Sequence, residues 1–317
     1  MTDICAQVRR DCARVAAQAR AVRLNAAAIP DFTRLMLDKY PLVSELGTDV
    51  HLVSYDRETS AAYVLALDSI NFGSGYFHLA AECGVALEYS AIAGGLKSAF
   101  SQGLLETPEK WADVSGDKLH GVFSIPKGRH ARLDELTGLF AQHLREAGEI
   151  VVREYGGRVS NLLEAAGHSA PKLASFVAAW PGFHDIAPYG GTEVALFKRA
   201  QILAADMHLS LGGFSGMEEL TCFADNMVPH VLRHAGILEY TPALAQRIDA
   251  GEMIEAQSTE EVEIRALAIH AVELMRAGAQ KQGRNVTSVN LDHILWARGY
   301  EPELYALPRH RTFTASY

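Results

Sequence analysis

Ala61-Ala62-Tyr63-Val64-Leu65-Ala66-Leu67-Asp68-Ser69-Ile70-Asn71-Phe72 is the stretch on which the fold class turns. It is a nearly unbroken apolar run, and periodicity alone does not separate a buried helix from a buried strand at this length. In either form the polar end leaves the core at Gly73-Ser74-Gly75, where glycine permits a sharp bend. The flanks weigh the choice. Most of the chain recurs with a helical period, so the expectation is a mainly α protein with at most a few short strands. With no internal repeat and no linker-like tract, residues 1–317 read as a single domain.

Toward the N-terminus, Ile4, Val8, Cys12, Val15, Ala19 and Val22 fall near helical spacing and predict an amphipathic helix. Met1 to Arg10 lacks the apolar centre of a secretory signal, and Asp3 and Asp11 speak against an organellar presequence. Ile29-Pro30-Asp31 opens a second helix, with Phe32, Leu35, Met36 and Tyr40 on one face before Pro41. Toward the C-terminus, Ala80 to Phe100 reads as helical with a break or close contact at Gly94-Gly95, and Leu119 to Ile125 as a short strand. Three stripes follow, led by Leu136, Val159 and Leu173, and then a turn at Pro181-Gly182. A long helix is expected from about Glu193 to His208, a capping-box start at Ser258-Thr259-Glu260-Glu261, and a last helix from Thr287 to Tyr300.

The 317 residues are 49% hydrophobic and carry a formal net charge of -9. That is ample material for a core. The acidity argues against binding duplex nucleic acid or an anionic membrane, whereas a single nucleotide needs only a few local cations. No run of eighteen apolar residues is present. Cys5, Cys12, Cys83 and Cys222 form no CxxC pair or disulfide framework, which fits a reducing compartment and an expected cytoplasmic location. The pattern carries no signal for oligomeric state.

Phe223 to Tyr240 gathers a carboxylate, imidazoles and a guanidinium in one short segment. Asp225 and Asn226 suit an N-cap, Pro229 a first helical turn and Gly236 a helix stop. His230 and His234 have the spacing of a helical metal pair, but Val231-Leu232-Arg233 between them supplies no glutamate and adds a cation, so no metal is assigned. Gly73-Ser74-Gly75 lacks a phosphate-loop lysine, and nothing in the spacing of Asp56, Ser69, His78 and Asp185 selects a hydrolytic triad.

Five ordered blocks resemble the queuosine salvage family: Asp68-Ser69-Ile70-Asn71-Phe72; Phe197-Lys198-Arg199-Ala200-Gln201 with Asp206; Phe223-Ala224-Asp225 with Val228-Pro229; Glu263-Ile264-Arg265-Ala266 with Glu273; and Asp292 with Leu295-Trp296. The resemblance spans most of the chain. It implies an N-glycosidase that releases queuine from queuosine 5'-phosphate without metal or organic cofactor, on a fold similar to helical DNA glycosylases. Asn226-Met227 and Ser74-Gly75 depart from the bulkier aromatic or basic residues that family would place beside these blocks. The alternatives are a glycosylase acting on DNA and a nucleotide-binding module without catalysis.

Cleaving a ribosyl C–N bond builds positive charge on the sugar, so a fixed carboxylate can stabilise the transition state and orient water. Asp225 is the first candidate, with Lys198 and Asp206 as the other expected catalytic residues. A 7-deazaguanine has carbon at position 7, so protonation there cannot help the base depart and the pocket must use its other polar edges. Asp68, Asp206 and Asp292 suit its N–H donors or the cationic amine of its side chain. Lys198 is the expected phosphate contact, with Arg199 as the alternative because adjacent helical positions point about 100° apart. Phe72, Tyr76 and Phe223 are expected to stack on the base, and Asn71 and Gln201 to hydrogen-bond the substrate.

Overall fold

The computed structural model describes residues 3–317; the leader reading, where it rests on Met1 and Thr2, lies outside them. The described residues form sixteen α-helices and four short strands, the mainly α architecture that the helical period implies. The ambiguous apolar run is a helix, Arg57–Ser69. Asp56 starts it, its carboxylate accepting from the backbone N–H of Glu58 at 3.3 Å and of Thr59 at 3.1 Å. Every residue from Ser60 to Ser69 is buried, so the run shows no amphipathic period because the helix has no solvent face. It packs against the helices Lys198–Leu211, Ala131–Tyr155, Tyr89–Ser101 and Val159–Ala165. Gly73, with φ of 102°, turns the chain out of it, and a Cβ there would stand 2.7 Å from Leu136 Cδ1.

A second group of helices closes the other side. Thr259–Lys281 packs against Ile4–Gln18 and Ile29–Lys39, while Met227–His234 packs against Ser288–Gly299 and Thr259–Lys281. Buried apolar side chains from Ile4 to Leu304 make one contiguous core. Val22–Leu24 pairs antiparallel with Leu238–Tyr240, Val22 facing Tyr240, and so ties the first helix to the segment after Met227–His234.

Several boundaries differ from the sequence expectation, each for a local reason. The helix expected from Glu193 begins only at Lys198 and runs to Leu211. Thr192–Ala195 instead pairs with Ile186–Tyr189 in a hairpin whose turn, Gly190-Gly191, has positive φ at both positions. Leu196 and Phe197 then donate their backbone N–H groups to the Asp185 carbonyl, and Phe197 sits in the left-handed region at φ 46°. Leu119 to Ile125 is not a strand: Gly116–Val122 is a helix that Ser115 caps through Lys118 N at 3.2 Å.

Between Ala80 and Phe100 the break falls at residues 83–88 rather than at Gly94-Gly95. Gly95 is a close approach inside a continuous helix, where a Cβ would come within 2.9 Å of the Val122 carbonyl. The expected capping box at Ser258 is half formed, because Glu261 accepts from Gln257 N instead of returning to Ser258. The helix expected over 287–300 is Ser288–Gly299, and the short helix Pro302–Tyr305 follows it.

Candidate active site

Two helices point their N-terminal ends into one cavity of about 560 Å³, and the Arg57–Ser69 helix delivers its polar exit to the same place. Lys198 is the first residue of Lys198–Leu211 and Asp225 stands just before Met227–His234. Both line the cavity with Asn71 and Phe72. Its size suits a small organic ligand.

Asp225 caps. Its Oδ1 accepts from Met227 N at 2.6 Å and Val228 N at 3.2 Å, although the residue at the formal cap position is Asn226. Lys198 Nζ donates to the Asn71 carbonyl at 3.1 Å and to Asn71 Oδ1 at 3.2 Å, and Asn71 Nδ2 in turn donates to Asp68 Oδ1 at 3.0 Å. Burial lowers the Lys198 pKa, and the Asp225 carboxylate is the strongest of the charges that oppose the fall.

Arg265 ties the two helix starts together. Its guanidinium forks onto Asp185 at 3.0 and 2.6 Å, and Asp185 Oδ2 accepts from Lys198 N at 3.1 Å. The remaining Nε donates to the Ala224 carbonyl at 3.1 Å, one residue before Asp225. The Tyr317 ring lies 4.6 Å beneath the guanidinium. Although burial works against it, the Arg265 cation is favoured by the Asp185 carboxylate and then by Glu261. A single buried fork therefore fixes both the start of the Lys198 helix and the approach to Asp225.

Behind the cavity wall lies a buried acidic layer. Burial pushes Asp68 up to about 7, against the pull of Asn71, and leaves Asp68 Oδ2 without a hydrogen-bond partner. Burial, and then the neighbouring Asp68 charge, raises Asp206 well above the usual carboxylate range. Asp292 accepts from Phe223 N at 2.8 Å and from the Cys222 thiol at 3.1 Å, and burial lifts it to about 7.

The remaining residues expected at the site stand back from the cavity. Arg199 donates to the Ser69 carbonyl at 2.8 Å and to the Gly182 carbonyl, and its guanidinium lies 4.9 Å from the Phe72 ring. Gln201 bonds Thr221 N at 2.8 Å and the Leu196 carbonyl at 3.4 Å. Tyr76 is buried against Phe313, and Phe223 is buried near His293. His230 and His234 contact one another ring to ring, and among the described residues no cluster of His, Cys, Asp and Glu could hold a metal.

Two features of the cavity escaped the sequence reading. One wall is aromatic: Tyr89 meets Trp296 edge-on at 5.6 Å, Trp296 meets Tyr300 at 4.6 Å, and Tyr300 stacks on Tyr305 at 5.3 Å, all four lining the cavity. The four-residue step from Trp296 to Tyr300 was the available signal. The other feature is basic: Arg309 and Arg311, on the segment after the last helix, line the same space.

The family model described as queuosine salvage protein matches residues 50–317. A protein of Sphaerobacter thermophilus named queuosine 5'-phosphate N-glycosylase/hydrolase is 37% identical over 96% of this chain and 95% of its own length. Proteins with the same name from Dictyostelium discoideum and Mus musculus are each 30% identical, the first over 98% of both chains and the second over 80% of this chain and 81% of its own. By the extent of both matches, the chain belongs to the queuosine salvage protein family.

Proposed function

We propose that the protein hydrolyses the N-glycosidic bond of queuosine 5'-phosphate, releasing queuine and ribose 5-phosphate for salvage into tRNA modification. The observation that carries this reading is a cavity-facing carboxylate, Asp225, held rigidly at a helix mouth beside the buried Lys198 cation, in a chain whose full-length relatives bear the name of that activity. Asp225 is the group set against the positive charge that develops on the sugar as the C–N bond breaks. It orients water toward that carbon, or bonds to it before water arrives.

The base stacks on the aromatic wall that Tyr89, Trp296, Tyr300 and Tyr305 build, while Phe72, its ring packed against Phe140 and His143, backs the cavity. Asn71 and Lys198 meet its polar edge. Behind them Asp68, whose Oδ2 has no hydrogen-bond partner, and Asp206 beside it offer acceptor oxygens to the amine of the queuine side chain. Gln201, Arg199, Tyr76, Phe223 and Asp292 serve by supporting this arrangement through the contacts described above. Action on DNA is not favoured in a chain of net charge -9.

The test is direct. Purified protein incubated with queuosine 5'-phosphate is expected to yield queuine and ribose 5-phosphate in equal amounts, and Asp225→Asn to fold normally but lose at least about a hundredfold in turnover. Wild-type turnover in Asp225→Asn would remove Asp225 from the reaction.

A further inference from the structure

We infer that Arg309 and Arg311 form the subsite for the 5'-phosphate of the substrate, an inference that rests on the hydrolase reading above. Burial alternates residue by residue along the segment carrying them, and Arg311 bridges to Met253, the pattern of a chain whose successive side chains face opposite sides. His310 and Thr312 are 2% and 1% exposed, turned into the protein, while Arg309 and Arg311 line the cavity. The backbone that presents them is pinned. Ile254 N donates to the Arg311 carbonyl at 2.8 Å, His310 Nε2 lies 3.2 Å from Tyr317 Oη, and a Cβ on Gly75 would come within 2.0 Å of the Thr312 carbonyl. Only glycine at position 75 lets this segment lie so close to the bend that follows Phe72.

Neither guanidinium is ion-paired with a carboxylate among the described residues. Arg309 lies over the Tyr305 ring at 4.5 Å, with one amino group 3.8 Å from Met227 Sδ. That stacking orients the planar fork without using up its charge. The other cations near the cavity are differently placed. Lys198 is bonded to the Asn71 carbonyl and Oδ1 and faces the Asp225 carboxylate, which repels a dianion. Arg199 is bonded to two backbone carbonyls.

The cavity thus carries Asp225 and Lys198 at the two helix starts and Arg309 and Arg311 on the last segment, where Glu88 accepts from Tyr305 Oη, and a zwitterionic substrate places its two charges on different walls. The cationic amine of the base goes toward the carboxylates, and the phosphate goes to the two arginines. Charge-assisted, forked N–H···O bonds are the interaction for which guanidinium and phosphate are matched.

The experiment compares kcat/KM for queuosine 5'-phosphate and for the queuosine nucleoside in wild type, Arg309→Met, Arg311→Met and the double variant, with thermal melts as a check of folding. Methionine keeps an apolar stem beside Tyr305. Wild type is expected to favour the nucleotide, each single variant to lower that preference about tenfold mainly through KM, and the double variant to bring the ratio close to one. Inorganic phosphate titrated into the same proteins, read by calorimetry, is expected to bind wild type and not the double variant. An unchanged nucleotide preference, or unchanged phosphate binding, in the folded double variant would overturn the subsite. Release of queuine from neither substrate by wild type would instead refute the hydrolase reading, and the phosphate titration would still decide the arginines.

Discussion

Asp225 shows how one side chain can serve both folding and chemistry. Its Oδ1 satisfies two orphan N–H groups at the start of Met227–His234, and the same carboxyl borders the cavity and favours the Lys198 cation. The two duties can be separated by substitution. Asparagine keeps an oxygen acceptor for the cap but removes the charge, whereas alanine removes both. Asp225→Asn and Asp225→Ala are therefore expected to lose turnover alike, while the alanine variant is less stable than the asparagine variant by about 1 kcal/mol in denaturant unfolding. Equal stability of the two would mean that the 2.6 Å contact to Met227 N contributes nothing as a cap.

At the level of elements, the site depends on how helix starts are held. The buried fork between Arg265 and Asp185 joins Thr259–Lys281 to the residue that caps Lys198, and its third bond reaches the Ala224 carbonyl. Leaving one buried charge without its partner costs about 3–5 kcal/mol, more than the pair itself contributes. Arg265→Met is expected to lose stability of that order, and Asp185→Leu likewise. The double variant should lose clearly less than the sum, because Asp185 and Arg265 no longer leave one another unpaired and only Glu261 loses its cation. Additive losses in urea unfolding would show that the two side chains act independently.

The helices themselves were legible in sequence wherever one face is wet, as in the stripe led by Leu136 within Ala131–Tyr155. The start of the Lys198 helix was not. It is set by Asp185, thirteen residues earlier, and by a Gly190-Gly191 hairpin whose positive φ values hide behind an otherwise helical composition.

Across the whole molecule, the acidic residues Asp68, Asp206 and Asp292 were singled out by the resemblance to a known family rather than by their spacing, Asp68 standing at the end of a buried helix and Asp206 and Asp292 within others. The aromatic wall and the arginine pair could not be read, since Tyr89, Trp296, Tyr305 and Arg309 meet only when the segment after residue 300 folds back over the cavity. The acidic layer is buried, and that burial has a consequence for stability. Asp292 has an ordinary value of 3.8 and is lifted by burial to about 7. Below its ordinary value both folded and unfolded chains hold the proton and the group has no effect. As pH rises from there to about 7, the unfolded chain releases a proton that the folded chain keeps, so stability falls; above that range the full cost is present. An asparagine side chain at this position would carry no such charge while keeping an oxygen to accept from Phe223 N. The stability of Asp292→Asn relative to wild type is therefore expected to climb between pH 4 and 8 by a few kcal/mol, each pKa unit being worth about 1.4 kcal/mol. Urea unfolding of both proteins across that range measures the difference, and a difference that stays flat or falls with pH would show that Asp292 ionises as freely in the fold as in water.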